Sequence, residues 1–303
     1  MVDILMATYN GERFVEAQIL SIIAQTYNNW RLIVHDDGSK DRTLAIVRKW
    51  SQIDTRITIV DDGIICGGAA KNFMHLLNYS NSEYVMFCDQ DDIWFDNKVE
   101  LMYKEILNMD SLMPRVVYSN SYVWYPSVGI TGLATFTHAS NLQELLFLNS
   151  GIQGCVAIFD NKVRDHMKSY HGEISMHDHL LHLIAVTLSN VHFLDVPLML
   201  YRNHGGNVTG DTRVSLVNNS ALFRNQSIPV VDDCHYETVK RFQTLYSGYL
   251  TEKDKNTLDI YIKLPHKAYF SRLYLVIKNQ FKLYNSVVLL LVKCIVRRYK
   301  NNS

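Results

Sequence analysis

Tyr84-Val85-Met86-Phe87-Cys88-Asp89-Gln90-Asp91-Asp92-Ile93-Trp94 runs from five uncharged, mostly apolar residues straight into three carboxylates within four positions. The uncharged run reads as a strand buried on both faces, as strands of parallel sheets are. The carboxylates that follow repel one another and are costly at the edge of a core. They are tolerable when solvated, or when a divalent cation sits among them. A hard cation such as Mg2+ or Mn2+ takes one or two carboxylates and leaves coordination positions for diphosphate oxygens. The plainer reading is a solvated loop that caps the next helix.

Upstream, the pattern repeats. Val2–Thr8, Trp30–Asp36 and Ile57–Val60 are β-rich runs that end at polar residues. Between them, residues 12–25, 41–50 and 69–78 read as helices, with Asp41 opening one after the Gly38-Ser39 turn. Alternating strand and helix implies an α/β fold with a mostly parallel sheet and helices on both faces. Ligands bind beyond the carboxyl ends of such strands. That rule selects Thr8-Tyr9-Asn10-Gly11-Glu12, Asp36-Asp37-Gly38-Ser39 and Asp89–Asp92 as one site. Downstream, 116–124 reads as a pair of strands, 150–159 as a loop entering a strand, and 191–202 as two short strands around Pro197. Residues 176–188 read as a helix opening with His177-Asp178-His179. Polarity rises after Asn207, so the expected domains are 1–210 and a mainly helical 211–303.

The 303 residues are 48% hydrophobic and 20% charged, enough for a sizeable core. The five cysteines are widely spaced and form no CxxC pair, so neither a zinc site nor a disulfide framework is expected. No basic segment with an apolar core opens the chain, so a cytoplasmic location without a cleaved signal is expected. The net charge of zero hides an asymmetry: Lys263, Lys267, Arg272, Lys278, Lys282, Lys293, Arg297, Arg298 and Lys300 are accompanied by no acid from Ile260 onward. Interleaved with long aliphatic runs, they suit an anionic membrane surface rather than nucleic acid.

At the mouth of a parallel sheet, Asp36 can accept hydrogen bonds from a base or ribose, although Asp-Gly-Ser is also ordinary turn chemistry. Residues 8–12 can wrap a base, and Gly67-Gly68-Ala69-Ala70-Lys71-Asn72 offers a helix N-terminus and a cation to a phosphate. Together, Ala7–Gly11, Val34–Ser39, Gly68–Phe73 and Asp89–Trp94 resemble glycosyltransferase family 2, whose members have the GT-A nucleotide-diphospho-sugar transferase fold. The form Asp-Gln-Asp-Asp-Ile-Trp is similar to the rhamnosyltransferase-like branch of bacterial surface polysaccharide synthesis. Gly154-Cys155 within 149–159, His177-Asp178, and Tyr201-Arg202-Asn203-His204 with Asn207 continue the resemblance over about the first 210 residues.

The resemblance implies an inverting transfer of a sugar from a dTDP- or UDP-linked donor, dTDP-L-rhamnose first, to a hydroxyl of a lipid-linked glycan. Thr8, Tyr9, Glu12, Asp36, Asp37, Lys71, Asn72, Asp89 and Arg202 would bind the nucleotide-sugar. Asp91, Asp89 and His204 would hold Mn2+ or Mg2+, with a structural Arg-His turn as the alternative for Arg202 and His204. Trp94, Gly154, Cys155 and His177 would face the sugar or acceptor. Asp178 would be the base, although many family members carry Glu-Asp where this chain has His177-Asp178. Two other classes compete: a sugar nucleotidyltransferase, whose basic Gly-rich first loop is missing from residues 8–12, and a scaffold, which need not keep these carboxylates. Residues 269–299 contain no Pro, Gly or acid and carry apolar residues at helical spacing, with Lys278, Lys282, Lys293 and Arg297 on a polar face. An amphipathic helix lying on the inner face of the cell membrane is expected there, or else a homo-oligomer contact.

Overall fold

The computed structural model describes residues 1–135, 137–148, 152–204 and 229–300. The chain divides into two compact units that interleave along the sequence: 1–136, 152–169 and 189–210 form the first, and the remaining segments the second. Asn149, Asn207 and the expected boundary after residue 210 lie outside the described residues. The division also differs from a single cut, because 137–151 and 170–188 group with the C-terminal helices.

The first unit is built on a sheet. Strands β1 (Val2–Thr8), β2 (Trp30–Asp36), β3 (Ile57–Val60) and β4 (Tyr84–Asp89) are parallel and lie in the order β3-β2-β1-β4. Every residue from Val2 to Met6 and from Val85 to Cys88 is fully buried, so both sheet faces are covered. The covering helices are α1 (Val15–Ile23), α2 (Thr43–Ile53), α3 (Ala69–Leu76), α4 (Lys98–Asn108) and, later in sequence, Asn161–Ser169. At the amino end of the strands Asp3 is buried. It is satisfied by Arg31, Ser80, Asn81 and Ser82, which leaves it no part in a site at the opposite edge.

Beyond β4 the sheet continues through a two-residue β5 (Ile93–Trp94), β6 (Arg115–Tyr125), β7 (Gly129–Leu133), β8 (Ala157–Asp160) and β9 (Asn190–Arg202). β8 runs antiparallel between β4 and β6, while β9 is parallel to β6. The two strands expected in 116–124 are one, because Asn120 makes no turn. Its side chain instead bonds both ways to the Thr135 backbone, at 2.8 and 3.1 Å. Pro197 likewise does not divide β9: it pairs with Asn120, where the register shifts and the ladder needs no N–H.

The second unit is helical, with α5 (Leu142–Leu145), α6 (the Asn161–Ser169 helix of the first unit) preceding α7 (His177–Leu188), then α8 (Asp233–Tyr246), α9 (Glu252–Lys263), α10 (Tyr269–Lys278) and α11 (Val287–Val296). Asp232, Thr251 and Ser286 cap α8, α9 and α11 with side-chain oxygens. Phe147 packs edge-on against Tyr261 and Phe281, each at 5.4 Å, which is why a segment from mid-chain belongs with the C-terminal helices.

The single tail helix expected over 269–299 is two. α10 stops in a Schellman turn: the Phe281 N–H donates to Val276 O, and the Gln280 N–H to Ile277 O, with Gln280 at φ 56°. Phe281, fully buried, supplies the apolar anchor of that turn. The expected polar face breaks up too. Lys293 is buried, with its amine pulled down to about 8 by desolvation, and Lys282 donates to Glu144 at 3.1 Å.

Candidate active site

Parallel register sets three polar residues side by side. Thr8 pairs with Asp36 across β1 and β2, and Ala7 pairs with Asp89 across β1 and β4. The Thr8 hydroxyl donates to Asp36 at 2.9 Å, and Ser39 donates through its N–H and hydroxyl at 2.8 and 2.6 Å. Asp36 is thereby aimed rather than free to swing. The loop after β1 is stitched to the loop after β2. The Asn10 N–H donates to Ser39, Gly11 N–H to Thr43, Glu12 N–H to Asp41, and the Glu12 carboxylate accepts the Arg42 N–H at 3.0 Å. Asn10 turns the chain at φ 47°, a conformation its short polar side chain tolerates. Tyr9, 55% exposed, stands at this rim with its ring open to solvent.

The acidic loop is held from three sides. Gln90 clamps it to β1, accepting from Tyr9 N–H at 3.0 Å and donating to Tyr9 O at 2.9 Å. A Cβ at Gly11 would overlap the Gln90 amide oxygen, so the glycine is needed for that close approach. From β9, Arg202 donates its N–H to Asp92 at 3.0 Å and its Nε to Asp91 O at 2.6 Å. Its guanidinium lies 4.4 Å from the Trp124 ring centroid and 5.1 Å from that of Phe14. His204, stacked on Phe14 at 4.4 Å, brings Nε2 to 2.8 Å from Asp91 Oδ2.

Beneath the loop, burial with the added charges of Asp91 and Asp89 holds the Asp92 carboxyl well above its ordinary range. Asp92 Oδ2 is buried without a partner, and Asp89, Asp92 and Cys155 bring ligand atoms within 4.8 Å of one another. Burial, then Asp89 and Asp92, also push the Cys155 thiol well up, so it is protonated. An orphaned carboxylate oxygen among three acids, with an imidazole on Asp91, fits a divalent cation.

The structure reassigns several expected site residues. Asp37 spends its carboxylate on the N–H groups of Cys66, Gly67 and Gly68, so it shapes the loop before α3. Asn72 is buried with its amide engaged by His35, which leaves only the exposed Lys71 of that pair for a ligand. Arg202 braces the acidic loop through its backbone N–H and Nε. Trp94, 3% exposed, cannot present a face to a sugar; Lys98 lies 3.8 Å over its ring. Gly154 and Cys155 form a buried turn whose carbonyl, at Cys155, accepts from Lys98.

Lys98 itself escaped the sequence reading. It is fully buried, donates to Cys155 O at 2.5 Å and Met199 Sδ at 3.1 Å, and desolvation lowers its amine to about 8. The signal was present: Lys98 stands one turn before Met102 and two before Ile106, on the stripe that α4 buries.

In the second unit, α7 opens with His177-Asp178. His177 is buried, and desolvation drops its imidazole to about 3, so it is neutral. Asp178 is half-buried; desolvation raises its carboxyl to about 6, offset in part by the His179 N–H and then by His235. A carboxylate near 6 is ionised at neutral pH yet basic enough to take a proton.

The family model of glycosyl transferase family 2 matches residues 3–167, more than half of the chain. The chain belongs to glycosyltransferase family 2. The dTDP-rhamnosyl transferase RfbG of Shigella flexneri is 30% identical over 217 residues, covering 68% of this chain and 73% of that protein. WfaP of Escherichia coli, a UDP-Glc:alpha-D-GlcNAc-diphosphoundecaprenol beta-1,3-glucosyltransferase, is 27% identical over 254 residues, 82% of this chain and 94% of that one. The GT-A fold is seen in solved relatives. S. aureus TarS 1–349 with UDP-GlcNAc superposes with a TM-score of 0.58 at 17% identity, over 86% of this chain and 70% of that chain. The mannosyltransferase PcManGT of Pyrobaculum calidifontis, solved with GDP-Man and Mn2+, gives 0.55 at 15% identity over 97% and 86%.

Proposed function

We propose that this family 2 enzyme is an inverting, cation-dependent transferase of bacterial surface polysaccharide synthesis. It moves a sugar from a dTDP- or UDP-linked donor, dTDP-L-rhamnose first, to a hydroxyl of a lipid-linked glycan. The observation that carries this reading is the Asp91–His204 pair at the strand edge where Thr8 and Asp36 end. The donor class is supported by the relatives' names: one uses dTDP-rhamnose and another a UDP-glucose donor with a diphosphoundecaprenol acceptor.

In this mechanism Asp36, oriented by Thr8 and Ser39, accepts from the base, and the Tyr9 ring covers it. Asp89, Asp91 and His204 would hold Mg2+ or Mn2+, which when bound would neutralise charge on the leaving diphosphate. Gln90 and Arg202 keep the loop from yielding to the repulsion among its carboxylates. Asp178 takes the proton of the acceptor hydroxyl as that oxygen attacks, and one displacement inverts the anomeric centre. Thermal shift tests the donor class. A true donor with Mn2+ should raise the melting temperature in proportion to ln(1 + [L]/Kd), and the donor in EDTA should not. A rise with no member of a dTDP- and UDP-sugar panel would overturn the assignment.

The membrane reading rests on α10. Among the described residues no helix is long and apolar enough to cross a membrane. Phe270, Tyr274 and Ile277 are 82%, 59% and 48% exposed and fall on one helical face beside Lys278. This face docks the enzyme on the anionic inner leaflet of the cytoplasmic membrane, where a lipid-linked acceptor lies.

A further inference from the structure

A second group of ligand-type side chains sits at the junction of β2, β3 and α3. His35 is the penultimate residue of β2, Asp62 lies two residues beyond β3, and His75 is in the last turn of α3. His35 Nε2 is 3.5 Å from Asp62 Oδ1, His75 Nε2 is 2.6 Å from Asp62 Oδ2, and the ligand atoms of all three lie within 4.8 Å of one another.

The tautomer of His35 is fixed from behind. Asn72 donates its Nδ2–H to His35 O at 3.2 Å, so its Oδ1 faces His35 Nδ1 at 2.6 Å, and that nitrogen carries the hydrogen. In the neutral ring Nε2 then points a lone pair at a carboxylate, two acceptors with no donor between them. The carboxylate is oriented as well: Tyr79 donates to Oδ2 at 2.6 Å and the Ile64 N–H to Oδ1 at 2.9 Å. A histidine with its far N–H on an amide oxygen, and a carboxylate held by outer donors, is how proteins prepare metal ligands. Two imidazoles with one carboxylate suit zinc, whereas Mg2+ prefers an all-oxygen shell.

We infer that His35, Asp62 and His75 form a zinc-class binding site, separate from the acidic loop. The site ties the segment 61–68 to the sheet. That segment is already held by Asp37, and its Ile65 lies against Gly38, so bound metal stiffens the wall beside Asp36. On binding, His75 offers the Nε2 lone pair to the metal, its hydrogen moving to Nδ1 or, from an imidazolium, to solvent, and water fills the open position.

Co2+ is the probe. Full-length Asp91→Asn protein, which lacks one candidate ligand of the acidic loop, is stripped with chelator and titrated with Co2+, with its visible absorption recorded. One equivalent should bind with the band of a low-coordinate nitrogen–oxygen site, and Zn2+ should displace it. Adding His75→Gln at this partly exposed position should weaken binding by about tenfold or more, and Asp62→Asn should do the same. Zn2+ should raise the melting temperature of Asp91→Asn but of neither double variant. Binding of equal strength in the double variants, or no equivalent bound by Asp91→Asn, would overturn the site.

Discussion

Gln90 and Gly11 occupy one space, and the stability of the acidic loop depends on both. Gly11→Ala forces Gln90 off the Tyr9 backbone, while Gln90→Ala removes the clash together with the clamp. The two substitutions should each weaken donor binding, and their effects on stability should be clearly less than additive in a double-mutant cycle. Additive losses would show that the contact does not couple the strands. Asp178 gives a sharper test. Its folded carboxyl is raised to about 6 by desolvation, so transfer should fall about tenfold per pH unit below that value. The unfolded chain loses this proton first, so the residue's stabilising contribution is full at low pH and is lost as pH rises through about 6. Asp178→Asn should therefore raise the melting temperature at neutral pH while cutting kcat about 10²- to 10⁴-fold, with donor affinity unchanged. A variant that is less stable and merely binds donor poorly would make Asp178 a structural residue. The place of Asp36, Asp89 and Asp91 at the carboxyl edge of the sheet was legible, because each follows or ends an apolar strand run. Gln90 and Phe14 were not, since each acts through a partner far away in sequence, Tyr9 and His204; the burial of Lys98 could be read from its helical spacing, but not its bond to Cys155.

At the scale of elements, hydrophobic pattern found the first four strands to the residue, since burial on both faces leaves little choice, and the first three helices to within about three residues at each end. It failed where tertiary contacts outweigh local signals. Nothing in residues 269–299 announces a helix stop, and Gln280 enters the left-handed region because Phe281 gains a buried site. Gln280→Gly should relieve that strain and stabilise the protein by about 0.5–1 kcal/mol, read as a higher melting temperature. Destabilisation would mean that the Gln280 side chain contributes more than its backbone costs. The exposed face of α10 makes a separate prediction. Phe270→Glu with Tyr274→Glu should abolish co-sedimentation with anionic liposomes and leave the melting temperature within about one degree, as surface substitutions usually do. If the double variant changes oligomeric state while neither protein binds liposomes, the face is a subunit contact.

Across the whole molecule, the same edge that the register of β1, β2 and β4 creates gathers a hydroxyl, a carboxylate and an acidic loop, and β9 returns from far along the chain to brace that loop with Arg202 and His204. The fold class could be anticipated from short motifs at that edge, while the division into units could not: packing of Phe147, Tyr261 and Phe281 joins segments more than a hundred residues apart. The central claim is cation-dependent glycosyl transfer through Asp91. The most direct measurement is nucleoside diphosphate release from dTDP-rhamnose and UDP-sugars with a lipid-linked acceptor, run with Mn2+, with EDTA, and with Asp91→Asn. The expected result is acceptor-dependent release with Mn2+ and near-complete loss in the other two arms. Undiminished release in EDTA, or pyrophosphate formed from a nucleoside triphosphate and a sugar phosphate instead, would contradict it.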